Sequence, residues 1–135
     1  MKRIADTGLI VRLLMRNDPF HAWATEAFRR HAPFHVCEAV LAEAGSFFPD
    51  PVAVLRLVER GDLIVDPDFS ILGETSALLA LVVTYADRPM DLADACLVRM
   101  TELAPRCKVW TVDRADFNTY RRHGRQIIPC EFPPV

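Results

Sequence analysis

At 135 residues, with 51% apolar and 25% charged side chains, the chain has the length and balance of one folded domain, which excludes intrinsic disorder. Sixteen basic against eighteen acidic side chains give a formal net charge of -2, so no global basic field draws the protein to nucleic acid, and any such contact needs a local patch. The longest apolar run, Ala77 to Val83, is far short of the roughly 20 residues of a membrane span. Cys37, Cys96, Cys107 and Cys130 form no Cys-x-x-Cys pair, and no cleavable leader is legible, so a soluble protein of a reducing, cytoplasmic compartment is expected.

Short apolar runs alternate with helical-period segments, the pattern of an α/β domain around a mostly parallel sheet of four to five strands. Lys2 to Ala5 reads as the first strand, Gly8 to Met15 as a helix ended by Asn17-Asp18-Pro19, and His21 to Arg30 as a second helix. Phe34 to Cys37 forms strand two. Ala39 to Phe48 reads as a helix closed by Pro49-Asp50-Pro51, and Val52 to Arg60 as the next. Gly61-Asp62 turns into Leu63-Ile64-Val65, a third strand. Ser70 to Ala86 is the longest helical stretch, with Leu78, Leu81, Val82 and Tyr85 on one stripe. Arg88-Pro89 breaks it before a helix from Met90 to Leu103. Lys108 to Val112 is the clearest buried strand, Arg114 to Arg122 a short helix, and Ile127-Ile128 a last strand. One domain over residues 1–135 is expected, with no internal repeat.

In an open parallel sheet, ligands gather at the carboxyl ends of the strands, where Asp6 and Asp113 fall. Either alone also reads as a turn or cap residue. Glu43 shares a helical face with Val40 and Phe47, so its carboxylate faces the core or a cleft and needs a partner. Glu38, at the same helix's start, reads as favourable to the helix dipole. Asp91 and Asp94 stand three apart on a first helical turn, which is either a cap with a second acid or a pair of functional carboxylates. Four acids at one end of a sheet repel one another. A hard, oxygen-ligated dication, Mg²⁺ or Mn²⁺, relieves the repulsion and suits phosphodiester hydrolysis.

Ile-Ala-Asp-Thr-Gly at 4–8, Val-Leu-Ala-Glu at 40–43, Pro-Met-Asp-Leu-Ala-Asp-Ala at 89–95 and Thr-Val-Asp-Arg-Ala-Asp-Phe at 111–117 carry a resemblance. In this order, from residue 4 to about residue 130, the chain resembles the PIN-domain ribonucleases, and within them the VapC toxins of bacterial toxin-antitoxin modules. The resemblance implies a three-layer α/β/α fold and a Mg²⁺-dependent endoribonuclease, usually homodimeric, blocked by a cognate antitoxin. By position it implies catalytic roles for Asp6, Glu43, Asp94 and Asp113, with Asp6, Asp94 and Asp113 at the metal. It also implies support from Asp91, Thr7 and Thr111; Asp116 precedes Phe117 in the family's Asp-Phe pair, but its helical location favours a capping role. Leu9 stands where many relatives have Pro, a change at a helix start.

RNA requires positive contacts beside such an acidic site. Arg114, Arg121 and Arg122, with Arg125, form a local basic stretch after Asp113 and are the expected backbone contacts, with solvated helix-end charges as the structural alternative. Arg12, Arg16, Arg29 and Arg30 are further candidates for RNA or for an acidic antitoxin segment. Phe20 and Trp23 read as core or interface. The alternatives are a non-catalytic PIN-fold binding protein, a processing nuclease that is not a toxin, and a phosphotransfer receiver domain. The last is disfavoured, because no paired acids follow the first strand.

Overall fold

The computed structural model of the protein describes residues 1–135. In chain order the elements are β1 (Lys2–Ala5), α1 (Thr7–Leu14), α2 (His21–His31), β2 (Phe34–Val36), α3 (Glu38–Gly45), α4 (Val52–Glu59) and β3 (Leu63–Val65). They continue with α5 (Thr75–Thr84), α6 (Leu92–Leu103), β4 (Cys107–Trp110), α7 (Arg114–Thr119), β5 (Arg121–Arg122), β6 (Gln126–Ile127) and β7 (Cys130–Glu131). Five strands form one sheet in the order β3-β2-β1-β4-β7, every pairing parallel, while β5 and β6 make a separate antiparallel hairpin.

Neighbouring residues of a strand point to opposite faces of its sheet. Ile4 and Ala5 of β1, and Val109 and Trp110 of β4, are all buried, so both faces of the central strands are covered. Helices supply the cover: the α/β architecture read from the sequence is the architecture found. One apolar cluster runs through it from Ile4 to Ile128. Trp110 lies at its heart, its ring 5.2 Å from Phe34 and 5.1 Å from His31. No helix is long and apolar enough to cross a membrane, and all four cysteines are free thiols.

The strand order decides where a ligand can sit. From β1 the chain builds outward through β2 and β3, then returns to the opposite side of β1 to add β4 and β7. The boundary between β1 and β4 is therefore a topological switch point, where the connections leave in opposite directions and open a crevice. Gly8, in the first turn of α1, lets that crevice close at its base, since a Cβ there would stand 2.6 Å from Val112 Cγ2.

Several boundaries differ from the periodic reading, each for a local reason. The helix expected over 39–48 ends at Gly45, where the Ser46 N–H and hydroxyl both donate to the Glu43 carbonyl. The helix expected over 70–86 is shortened to Thr75–Thr84, because the Ser70 hydroxyl accepts from the Gly73 N–H and holds a separate turn. Of its expected stripe, Leu78 is buried and Val82 is exposed. The strand expected to reach Val112 stops at Trp110; the next residue, Thr111, still donates its N–H to the Glu131 carbonyl while its hydroxyl engages Asp6. The helix expected to Arg122 stops at Thr119, and Arg121–Arg122 form hairpin strand β5 instead. The fifth strand of the sheet is Cys130–Glu131; of the expected Ile127-Ile128, Ile127 belongs to the hairpin and Ile128 enters the core.

Candidate functional site

All the acidic side chains singled out in the sequence except the exposed Glu38 reach the crevice, from several parts of the chain. Asp6 follows β1 and caps α1, Asp113 lies three residues beyond β4 and caps α7, and Asp91 caps α6, which carries Asp94 in its first turn. Glu43 comes from α3, which packs against both α1 and α6. The result is an open cleft of about 220 Å³ whose lining includes Asp6, Glu43, Asp91, Asp94, Asp113 and Asp116, with Thr7 and Arg12. All four carboxylates expected to act together thus share one cleft, with Asp91 and Asp116 beside them.

The partners of these acids are almost all neutral. Asp6 Oδ1 accepts from the Thr7 N–H at 2.7 Å, and Oδ2 accepts from the Thr111 hydroxyl at 2.6 Å. The same Thr111 oxygen accepts from the Asp113 N–H at 3.0 Å, so one fully buried hydroxyl fixes the spacing between the ends of β1 and β4. Asp113 Oδ1 accepts from the Asp116 N–H at 3.0 Å, and Asp91 Oδ1 from the Asp94 N–H at 2.8 Å. The capping alternative for Asp91 is therefore realised, while for Asp116 it is not: Asp113 is the cap and Asp116 pairs with Arg88 at 3.0 Å. Glu43 makes no side-chain hydrogen bond or ion pair. Its expected apolar neighbour Phe47 lies beyond the helix end, exposed at the cleft wall.

Burial without a counter-charge disfavours the ionised form of a carboxyl group. Burial pushes Asp6 up to about 6 against the pull of its hydrogen bonds to Thr111 and Thr7, and the charges of Glu43 and Asp113 add to the rise. Asp94 is pushed up to about 7, first by burial, then by the charges of Asp91 and Asp6. Burial likewise raises Asp113. Two carboxyls that change charge between about 6 and 7 thus sit together at the switch point.

The sequence reading missed Tyr120. Its ring is fully buried, edge-on to Tyr85 at 5.1 Å and to Phe117 at 5.6 Å, and its hydroxyl donates to Asp94 Oδ2 at 3.1 Å. A signal existed in the spacing, since Phe117 and Tyr120 stand three apart, as residues on one side of a helical turn do. Thr7 is also informative: its Oγ1 is buried and has no hydrogen-bond partner, although it lines the cleft.

The expected RNA-binding arginines are placed differently. Arg122 is buried, and its guanidinium donates to the carbonyls of Thr101 and Ala104, closing the end of α6. Arg121 donates to the carbonyls of Asn118, Thr119 and Tyr120, closing α7. Arg114 donates to the Pro133 carbonyl and lies over the Phe132 ring. These groups secure the C-terminal third of the fold.

Every side-chain donor in the cleft that could take a metal is a hard oxygen, from the six carboxylates or Thr7. No three His, Cys, Asp or Glu side chains stand as a ready-made cage around one point. No family model matches the sequence, and no curated protein does so either, which leaves the cleft's own geometry to carry the functional argument.

Proposed function

We propose that the protein is a Mg²⁺-dependent endoribonuclease of the PIN-domain type, acting as the VapC-like toxin of a toxin-antitoxin pair. The observation that carries the reading is the meeting of Asp6, Glu43, Asp94 and Asp113 in one cleft at the β1/β4 switch point. Bringing acids from four elements together, with two of them lifted toward neutrality, is costly unless a cation or substrate balances them, and this supports the reading. An RNA substrate, a cognate antitoxin, a homodimer and a cytoplasmic setting come with the resemblance and belong to the proposal.

The donor set fits the metal. Mg²⁺ prefers oxygen ligands, keeps several waters and takes one or two carboxylates, so a loose acidic cleft suits it better than a closed cage would. Asp6, Asp94 and Asp113 would hold it, one or two directly and the rest through its waters, with Glu43 and the unpartnered Thr7 hydroxyl beside them. When bound, the metal supplies charge neutralisation at the scissile phosphate and a more acidic water. The chain's own residues do the rest. Thr111 locks Asp6 and the start of α7 into one geometry. Tyr120 holds Asp94 Oδ2 and so fixes how that carboxyl is set in the cleft.

Asp6→Asn and Asp94→Asn test the reading directly. Each is expected to reduce Mg²⁺-dependent cleavage of a single-stranded RNA by at least about 100-fold. Circular dichroism should stay unchanged, and growth inhibition on expression should be relieved. Cleavage that persists in either folded variant removes the nuclease assignment. The occupation of Asp91 and Asp113 as helix caps favours a second reading, a non-catalytic PIN-fold binding protein. A calorimetric titration that finds no Mn²⁺ binding to the wild-type chain would select it.

A further inference from the structure

We propose that Arg12 is the residue that grips the substrate's phosphate backbone in the cleft, a role that rests on the nuclease reading and sharpens it. A phosphodiester entering a wall of six carboxylates meets repulsion, so the cleft needs a cation of its own. Arg12 is the one basic residue among those lining it. The arginines of the basic stretch after Asp113 do not fill the need, since Arg114, Arg121 and Arg122 donate to backbone carbonyls and Arg125 does not line the cleft.

Arg12 differs from them in what it leaves unused. It stands on α1, the helix that Asp6 caps, and lines the cleft with Thr7 and Gly8 of the first turn. Its Nε is buried with no hydrogen-bond partner, and neither terminal nitrogen donates a hydrogen bond. The nearest acid is Asp18, 3.5 Å from Nε and outside the cleft, at ion-pair but not hydrogen-bond distance. A guanidinium tethered at one edge by Asp18 keeps its other donors for a planar or tetrahedral oxyanion, and paired N–H groups match two phosphate oxygens at once. The arrangement also fixes register: a strand held at Arg12 lies along α1 toward Asp6, the carboxylate at that helix's start.

The experiment measures RNA binding apart from cleavage. A fluorescein-labelled single-stranded RNA is titrated with the full chain in buffer containing calcium in place of magnesium, across a range of salt, and cleavage is followed separately with magnesium. Arg12→Ala is expected to weaken binding about tenfold or more and to reduce the slope of log affinity against log salt by about one. With magnesium, the loss should appear in KM more than in kcat. Arg12→Lys should restore the salt slope but only part of the affinity, because it lacks the paired donors. Arg106→Ala, just before β4 at the opposite end of the sheet, should bind as wild type. Should Arg12→Ala fail to fold, Arg12→Gln keeps most of the stem and tests the same charge. Wild-type binding by the Arg12 variants overturns the assignment, and if RNA is still cut the nuclease reading stands. Arg12-dependent binding without any cleavage keeps Arg12 as the backbone contact and removes the nuclease. A wild-type chain that binds no RNA overturns the assignment too.

Discussion

Two aspartates follow strands of the same sheet and are equally deep, yet they live in opposite electrostatic worlds. Asp66, after β3, receives the Lys2 ammonium at 2.9 Å and 3.0 Å and the Asp68 N–H at 2.9 Å. Asp6, after β1, receives one N–H and one hydroxyl, and its charged neighbours are other carboxylates. Burial is the same fact in both places, 3% exposed against 7%. The difference lies in the counter-charge. A buried acid with its own ammonium is complete and has no use for a ligand, whereas a buried acid among acids is complete only when something cationic arrives. Depth alone is thus a poor marker of function, and unbalanced depth a good one.

Removing the counter-charge from the complete site should have the largest effect. Lys2→Met strands Asp66 in the interior, and loss of one partner of a buried pair costs about 3–5 kcal/mol. Urea unfolding at pH 7 should show it, and adding Asp66→Asn should return part of the loss. A cost below about 1 kcal/mol would mean that Asp66 is not held as the contacts imply.

The converse change at Asp6 should stabilise. Its carboxyl titrates at about 6 in the folded chain against an ordinary 3.8, so between these values the folded state holds a proton that the unfolded state has lost. Stability therefore falls as pH rises from about 4 to about 6, by about 3 kcal/mol for a shift of this size, and Asp94 carries the decline on toward 7. Asp6→Asn keeps an acceptor for the Thr7 N–H and gives Thr111 a donor in place of an acceptor, which a rotating hydroxyl accommodates. Melting curves at pH 8 should show the variant more stable than wild type by about 2–3 kcal/mol, and the two should converge near pH 4. Magnesium should raise the wild-type melting temperature at pH 8 and leave it unmoved at pH 4. An Asp6→Asn curve parallel to wild type across the whole range would erase the contrast with Asp66.

Much of this was readable from the chain. The first three strands and the helix order follow from apolar runs and turn residues, and Asp6 and Asp113 could be placed at strand ends because a short strand-like segment, Lys2 to Ala5 or Lys108 to Val112, stops at each. What escaped was decided by contacts between distant segments. Cys130–Glu131 becomes a strand only because β4 offers it an edge, and two residues carry no periodic signal. Arg122 reads as a solvated cation in a basic stretch, and only the carbonyl ends of α6 draw it inward. A helical wheel puts Phe47 on the Glu43 face, but the helix ends two residues before it. Asp66 shows the same limit from the other side. Nothing near it in sequence announces that Lys2, 64 positions away, will neutralise it.

The smallest expected effect separates a structural contact from one that tunes the cleft. Tyr120 is fully buried, so Tyr120→Phe removes a single oxygen and leaves the ring packing against Tyr85 and Phe117 in place. The lost bond is worth about 1 kcal/mol if it is ordinary. Its hydroxyl donates to Asp94 Oδ2, which favours the ionised carboxylate, so the loss should be pH-dependent. Above pH 7, where Asp94 is charged, the variant should be less stable than wild type; at pH 5 the carboxyl is protonated and the difference should shrink toward zero. The Asp94 carboxyl, followed by its ¹³C resonance, should titrate higher in the variant. An equal loss at pH 5 and pH 8 with an unmoved resonance would reduce Tyr120 to core packing. A moved one would show that the hydrophobic interior behind α6 reaches into the cleft and sets how readily Asp94 takes up a proton, which is the property that distinguishes this cleft from the closed ion pair at Asp66.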